Sequence, residues 1–180
     1  MGKRYDAISP SLQTFIEEQQ LFFVGTAAPD GRVNISPKGM DSLRVVGPNR
    51  VLWLNVTGSG NETAAHLLES PRMTLMVCAF EGRPMILRLY GHAKVYHPRD
   101  AGWDERLELL PALPGARNIF DLEVDLVQTS CGMAVPYFDY VGQRDDLKTW
   151  ATNKGPEKLE AYRREKNRES LDGKPTGLLR

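Results

Sequence analysis

The stretch Phe120-Asp121-Leu122-Glu123-Val124-Asp125-Leu126-Val127 decides the fold class. Phe120, Leu122, Val124 and Leu126 alternate with Asp121, Glu123 and Asp125, a period of two that gives a strand one buried and one wet face. Upstream lie three pairs of apolar runs joined by turn chemistry. Met73–Phe80 and Met85–Tyr96 flank Glu81-Gly82-Arg83-Pro84, and Leu43–Val46 and Val51–Val56 flank Gly47-Pro48-Asn49-Arg50. Leu21–Ala28 and Val33–Ser36 flank Pro29-Asp30-Gly31-Arg32. Each pair predicts an antiparallel hairpin. Pro37 has no N–H for a ladder and is expected to stop regular pairing there.

Helical segments interrupt the strands. Ser9–Gln20 opens with a Ser-Pro start and places Leu12, Phe15 and Ile16 on one face. Further helices are predicted over 61–70, 100–110 and 145–168, the last with only a thin apolar stripe at Leu159 and Tyr162. Six or seven antiparallel strands with few helices predict a mainly β fold, a β-barrel with flanking helices. The barrel is expected to occupy 1–144, with 145–180 as a helical extension of the same domain.

Composition narrows the function. Lys+Arg 23 balances Asp+Glu 23, so nothing pulls the chain towards nucleic acid or an anionic membrane. The N-terminus lacks an apolar signal core and no apolar run reaches the roughly 18 residues of a membrane span, which predicts a cytoplasmic protein. Cys78 and Cys131 match no metal-ligand spacing, and His66, His92 and His97 form no i,i+4 pair, so no metal site is expected. No Ser-His-Asp order, paired catalytic carboxylates, Walker loop or GxGxxG stands out.

Four segments are candidates for chemistry. In Asn34-Ile35-Ser36-Pro37-Lys38-Gly39, Asn34 and Ser36 share a face, Lys38 follows, and Gly39 lets backbone approach a ligand. A solvated edge-strand exit would read the same way. Thr57-Gly58-Ser59-Gly60-Asn61-Glu62-Thr63 runs from strand into helix, where Ser59 or Asn61 can cap and the first-turn N–H groups make an anion site. Phosphate is the natural guest if Glu62 points outward; the alternative is a capped helix without a ligand. Arg88, Tyr90 and His92 share one strand face. Gln128-Thr129-Ser130-Cys131-Gly132-Met133 suits a loop closing over a ligand, although no base is placed to make Cys131 a nucleophile. Met133, Tyr137 and Phe138 are expected to cover an apolar ring or another subunit.

In order and spacing, four stretches resemble the FMN-binding split-barrel superfamily of pyridoxamine 5′-phosphate oxidase: Leu21–Ala27, Asn34–Gly39 before Asp41, Gly58–Leu67 and Arg88-Leu89-Tyr90-Gly91. The resemblance spans residues 10–135. It implies a six- to seven-stranded antiparallel split barrel, a homodimer, and FMN in a cleft built from both chains. It also implies an oxidoreductase of unassigned substrate, using a small molecule or an electron donor such as NAD(P)H. Carried across, Asn34, Ser36, Pro37, Lys38 and Gly39 would run beside the flavin, with Lys38 facing its polar atoms or phosphate. Asn55 would approach the ring, while Ser59, Asn61, Thr63 and His66 would face the phosphate. Arg88 would match a strand arginine, and Thr129, Ser130 and Cys131 a closing segment.

Two departures bear on the substrate. The true oxidase has an arginine-rich C-terminal signature, which the run Gly173 to Arg180 lacks, and Ile86 stands where a polar flavin contact is common. Vitamin B6 oxidation is therefore not expected, while the flavin site is. Rival readings are a flavin carrier or sensor without turnover, and a deazaflavin- or haem-using relative on the same barrel. No haem axial ligand is placed, and a long acidic deazaflavin tail would need more basic residues than Lys38 and Arg88.

Overall fold

The computed structural model describes residues 2–179. Its strands are β1 (Lys3–Tyr5), β2 (Phe22–Thr26), β3 (Asn34–Lys38), β4 (Leu43–Gly47), β5 (Arg50–Val56), β6 (Arg72–Cys78), β7 (Ile86–Tyr96) and β8 (Ala116–Ser130). Helices α1 (Pro10–Glu18), α2 (Glu62–Glu69), α3 (Trp103–Leu107) and α4 (Asp146–Lys166) flank them. The eight strands form one antiparallel sheet in the order β3-β2-β6-β7-β8-β5-β4, with β1 on β8. The sheet curls without closing, and its free edges are β3 and β4. This is a split β-barrel. Strand β1 was not anticipated, because the three residues Lys3-Arg4-Tyr5 are too few to carry a periodicity.

The barrel interior follows from the alternation. Val24, Leu75, Leu87, Leu89, Trp53, Phe120, Leu122 and Val127 bury their side chains in one cluster, joined by Leu12 and Ile16 of α1. The α1 start is as the sequence suggests: Ser9 Oγ accepts from the Leu12 N–H and Pro10 opens the first turn. A second cluster on the outer side of β5 and β8 packs Leu52, Leu54 and Ile119 under Trp103 of α3. Only five residues of the predicted 100–110 segment form that helix.

Two irregularities in β8 correct the simple alternation. Tyr90 pairs with Leu126 but Gly91 pairs with Val124, so Asp125 is an extra residue, a β-bulge. Beyond it the parity flips: Val127 is fully buried and Leu126 is only half-buried. Gly91 makes this possible, since a Cβ there would lie 1.9 Å from the Glu123 carbonyl oxygen. Near the start of β8, Asn55 pairs with Asn118 but Val56 with Ala116, leaving Arg117 as the extra residue.

Pro37 does not end pairing. It sits within β3 opposite Phe23, tolerated because β3 has a partner on one side only. Thr129 and Ser130 belong to β8, paired with β7, rather than to a closing loop. The α4 run contains two helical pieces broken at Gly155, whose φ of 71° is left-handed, followed by Pro156. Among the described residues no helix is long and apolar enough to cross a membrane.

Candidate functional site

The split places β3 against the end of β5 and the start of α2. Asn34, Ser36 and Lys38 alternate along β3 towards a cleft of about 350 Å³, while Ile35 and Pro37 face outward. Trp53, Asn55, Gly58, Ser59, Gly60, Asn61, Glu62, Thr63 and Arg117 complete the lining. Seven of the sequence candidates therefore meet in one place: Asn34, Ser36, Lys38, Asn55, Ser59, Asn61 and Thr63. Pro37 and Gly39 flank them, and Gly39 instead approaches Gln143 and the Gln20 carbonyl.

Lys38 Nζ lies 5.3 Å from the centroid of the Trp53 ring, a cation–π contact. Trp53 is itself stacked on Phe120 at 4.6 Å and meets Phe22 edge-on. Burial, with the Arg117 charge nearby, lowers the Lys38 pKa from 10.5 to about 8. It still carries its charge at neutral pH, with little water to share it.

The polar floor is a chain of amides. Asn55 Nδ2 donates to Asn118 Oδ1 at 2.9 Å, and Asn118 Nδ2 donates to Asn61 Oδ1 at 3.3 Å. Asn61 holds the N-cap position of α2, but its side chain is spent on this chain and caps nothing, contrary to the sequence expectation. The first turn of α2 thus opens on the cleft without a side-chain cap. Arg117 is buried, 2% exposed, and donates to Asn167 Oδ1 at 2.6 Å. Its Nε has no hydrogen-bond partner among the described residues. Burial, reinforced by Arg163, depresses its pKa below the ordinary guanidinium range.

This donor set suits an anion such as a phosphate: half-buried Lys38, buried Arg117, an uncapped helix start, and hydroxyls at Ser59 and Thr63. The carboxylate among the lining residues is Glu62, and its Oε2 accepts from the Leu171 N–H. That bond engages one carboxylate oxygen, while Glu62 still lines the cleft.

The remaining candidates lie elsewhere in the chain. His66 is 1% exposed and shares a 3.0 Å hydrogen bond with Thr26, so it braces α2 against β2 and does not line the cleft. Arg88 lies on the outer face of β7, where its Nη1 donates to Ser130 Oγ at 3.1 Å. With Phe23, Ile35, Met76 and Tyr90 it lines a separate groove of about 600 Å³. Cys131 is exposed and Cys78 buried, both as free thiols. β3 is the wall between cleft and groove, polar on one side and apolar on the other. Sequence reasoning missed Trp53, Arg117, Asn118 and Asn167. Asn118 carried a readable signal, an amide two residues before a strongly alternating strand.

An open antiparallel barrel with a cationic cleft at its split defines the class of split-barrel proteins. The chain belongs to the pyridoxamine 5′-phosphate oxidase family, whose pattern matches residues 8–131. A curated relative, the pyridoxamine 5′-phosphate oxidase family protein ustO of Aspergillus flavus, is 36% identical over 190 residues, covering 95% of this chain and 76% of that protein. Among solved structures, a putative pyridoxamine 5′-phosphate oxidase of Lactobacillus delbrueckii superposes with a TM-score of 0.53 at 18% identity. It covers 68% of this chain and 94% of its own. A FAD-binding protein of Mesorhizobium loti superposes with a TM-score of 0.50 at 11% identity, over 72% and 97% of the two chains.

Proposed function

We propose that the protein is an FMN-binding oxidoreductase whose cofactor phosphate is held in the cleft between β3 and α2. The observation that carries this reading is the convergence of Lys38 and buried Arg117 on an uncapped helix start. Family membership supplies the flavin; the cleft supplies a charge-matched place for its phosphate. When bound, the flavin would supply electron and hydride transfer, so no protein nucleophile is required. The chain's residues would bind and orient it: Lys38 and Arg117 by charge, Ser59 and Thr63 by hydroxyl donation, Asn55 by its amide. The substrate is unassigned. Reduction by NAD(P)H followed by acceptor turnover would mark an enzyme; a flavin inert to every donor would mark a carrier.

FMN is expected to bind more tightly than riboflavin below about pH 8, and that advantage should shrink as pH rises. The sign follows from Lys38: its depressed pKa means the ammonium is present below about 8 and is lost above it. Replacing Lys38 by Ala should weaken FMN binding by about 1.5–3 kcal/mol and flatten the pH dependence. Calorimetric titration between pH 6.5 and 9.5 checks both, and equal affinities for FMN and riboflavin throughout would sink the phosphate assignment.

The protein is further proposed to act as a homodimer. Val33 and Ile35 are each 70% exposed on the groove side of β3, and Met133, Tyr137 and Phe138 are exposed beyond β8. Apolar surface of this kind favours a partner, and a two-fold axis would generate two equivalent sites. Sedimentation should report about twice the 20.2 kDa chain mass. A monomer holding FMN stoichiometrically would overturn the dimer without touching the cleft.

A further inference from the structure

Asn167 is fully buried, and every polar group it has is engaged. Its Oδ1 accepts from Arg117, and its Nδ2 donates to the Gly58 carbonyl at 3.0 Å and more weakly to that of Ser59. Its own carbonyl accepts from Thr176 Oγ1 at 2.6 Å and, at 3.5 Å, from Asn61 Nδ2. Its N–H donates to the Arg163 carbonyl. One amide thus ties together the glycine loop, the start of α2 and the bulge at Arg117.

Residues beyond it fold back as a clasp. Glu169 bridges to Pro175, Asp172 pairs with Arg32, and Lys174 pairs with Asp30 at 3.0 Å and Glu69 at 2.7 Å. These contacts fasten the clasp to the β2–β3 turn and to the C-terminal end of α2. The glycine loop that bears Ser59 is therefore fixed from behind by a segment more than a hundred residues away.

The choice of an amide at 167 is informative. A buried guanidinium is costly unless its charge is met, and a carboxylate is the usual partner. Among the described residues Arg117 forms no ion pair, and its Nε lacks any partner. Asparagine orients the guanidinium without cancelling its charge, which leaves that charge available to a ligand.

We infer that Arg117 anchors the ligand's phosphate, and that Asn167 is a positioning residue that sets Arg117 and the glycine loop in place for it. The inference rests on the reading of the cleft as a flavin-phosphate site. In the full-length protein, Arg117→Met should weaken FMN binding about 10- to 100-fold while leaving riboflavin affinity unchanged. Asn167→Asp keeps the side-chain size and the bond to Arg117, sets a carboxylate against the guanidinium charge, and gives up the amide donation to the Gly58 and Ser59 carbonyls; it should erase most of the preference for FMN over riboflavin. A purely structural role would lower both affinities together. If the unaltered protein holds FMN no better than riboflavin, the phosphate reading falls and takes the anchor with it. If it prefers FMN and both variants, folded by circular dichroism, keep that preference, the Arg117–Asn167 assignment alone is overturned. Should Arg117→Met fail to fold, Asn167→Asp decides by the same ratio.

Discussion

Alanine in place of Gly91 is expected to cost about 3 kcal/mol of stability or more, the upper end of what overpacking does. The added methyl would sit 1.9 Å from the Glu123 carbonyl oxygen and 2.9 Å from its carbon, both backbone atoms that cannot rotate aside. Relief requires β8 to slide or unbulge, which would turn Val124 or Val127 out of the core. Gly25, in neighbouring β2, is the control. Its Cβ would meet Thr74 at 3.8 Å, an ordinary contact, so alanine there should be tolerated. Urea denaturation of the two variants side by side is the measurement. Equal midpoints would mean that the bulge is free to move and that close approach does not fix it.

Trp53→Ala should be at least as damaging, about 3–5 kcal/mol, the range for deleting a large buried aromatic side chain. Trp53 is 2% exposed and wedged between Phe22 and Phe120, so its removal opens a cavity in the barrel wall. The same change strips the ring from beneath Lys38 and lets water reach the ammonium. Its pKa should move back up from about 8 towards its ordinary 10.5. Trp53→Phe keeps an aromatic face and should recover much of the stability. Denaturation midpoints for the two variants, with a pH titration of anion binding, separate the packing effect from the electrostatic one. A Trp53→Ala protein as stable as the parent would place the ring outside the core.

Much of the barrel was legible because its strands alternate and its hairpins carry turn residues. Phe120 to Val124 read correctly for that reason. Leu126 did not, since a bulge is set by contact between Gly91 and Glu123, which lie on different strands and share no local signature. Pro37 misled because its meaning depends on whether a strand has one neighbour or two, a property of the whole sheet. The β3 face and the glycine loop were legible as candidates: local spacing alone puts Asn34, Ser36 and Lys38 on one side. Arg117 and Asn167 were not, because their partners lie 50 residues apart and Arg117 stands where the alternation is broken. His66 was expected to face the phosphate; its partner Thr26 is 40 residues earlier and was invisible from the helix.

β8 is fifteen residues long and is the common partner of β1, β5 and β7. That arrangement sets an order of events as the chain is synthesised. The β2–β3, β4–β5 and β6–β7 hairpins can form from neighbours in sequence, but β5 and β7 each keep an unpaired edge until β8 has emerged. Pairing over such separations is slow compared with helix or hairpin formation, because loop closure must precede the contacts that reward it. During that interval the nascent chain offers apolar strand edges to any other chain nearby. Substitutions that weaken β8 will therefore show first as lost yield during expression, before any change in the finished protein is measurable.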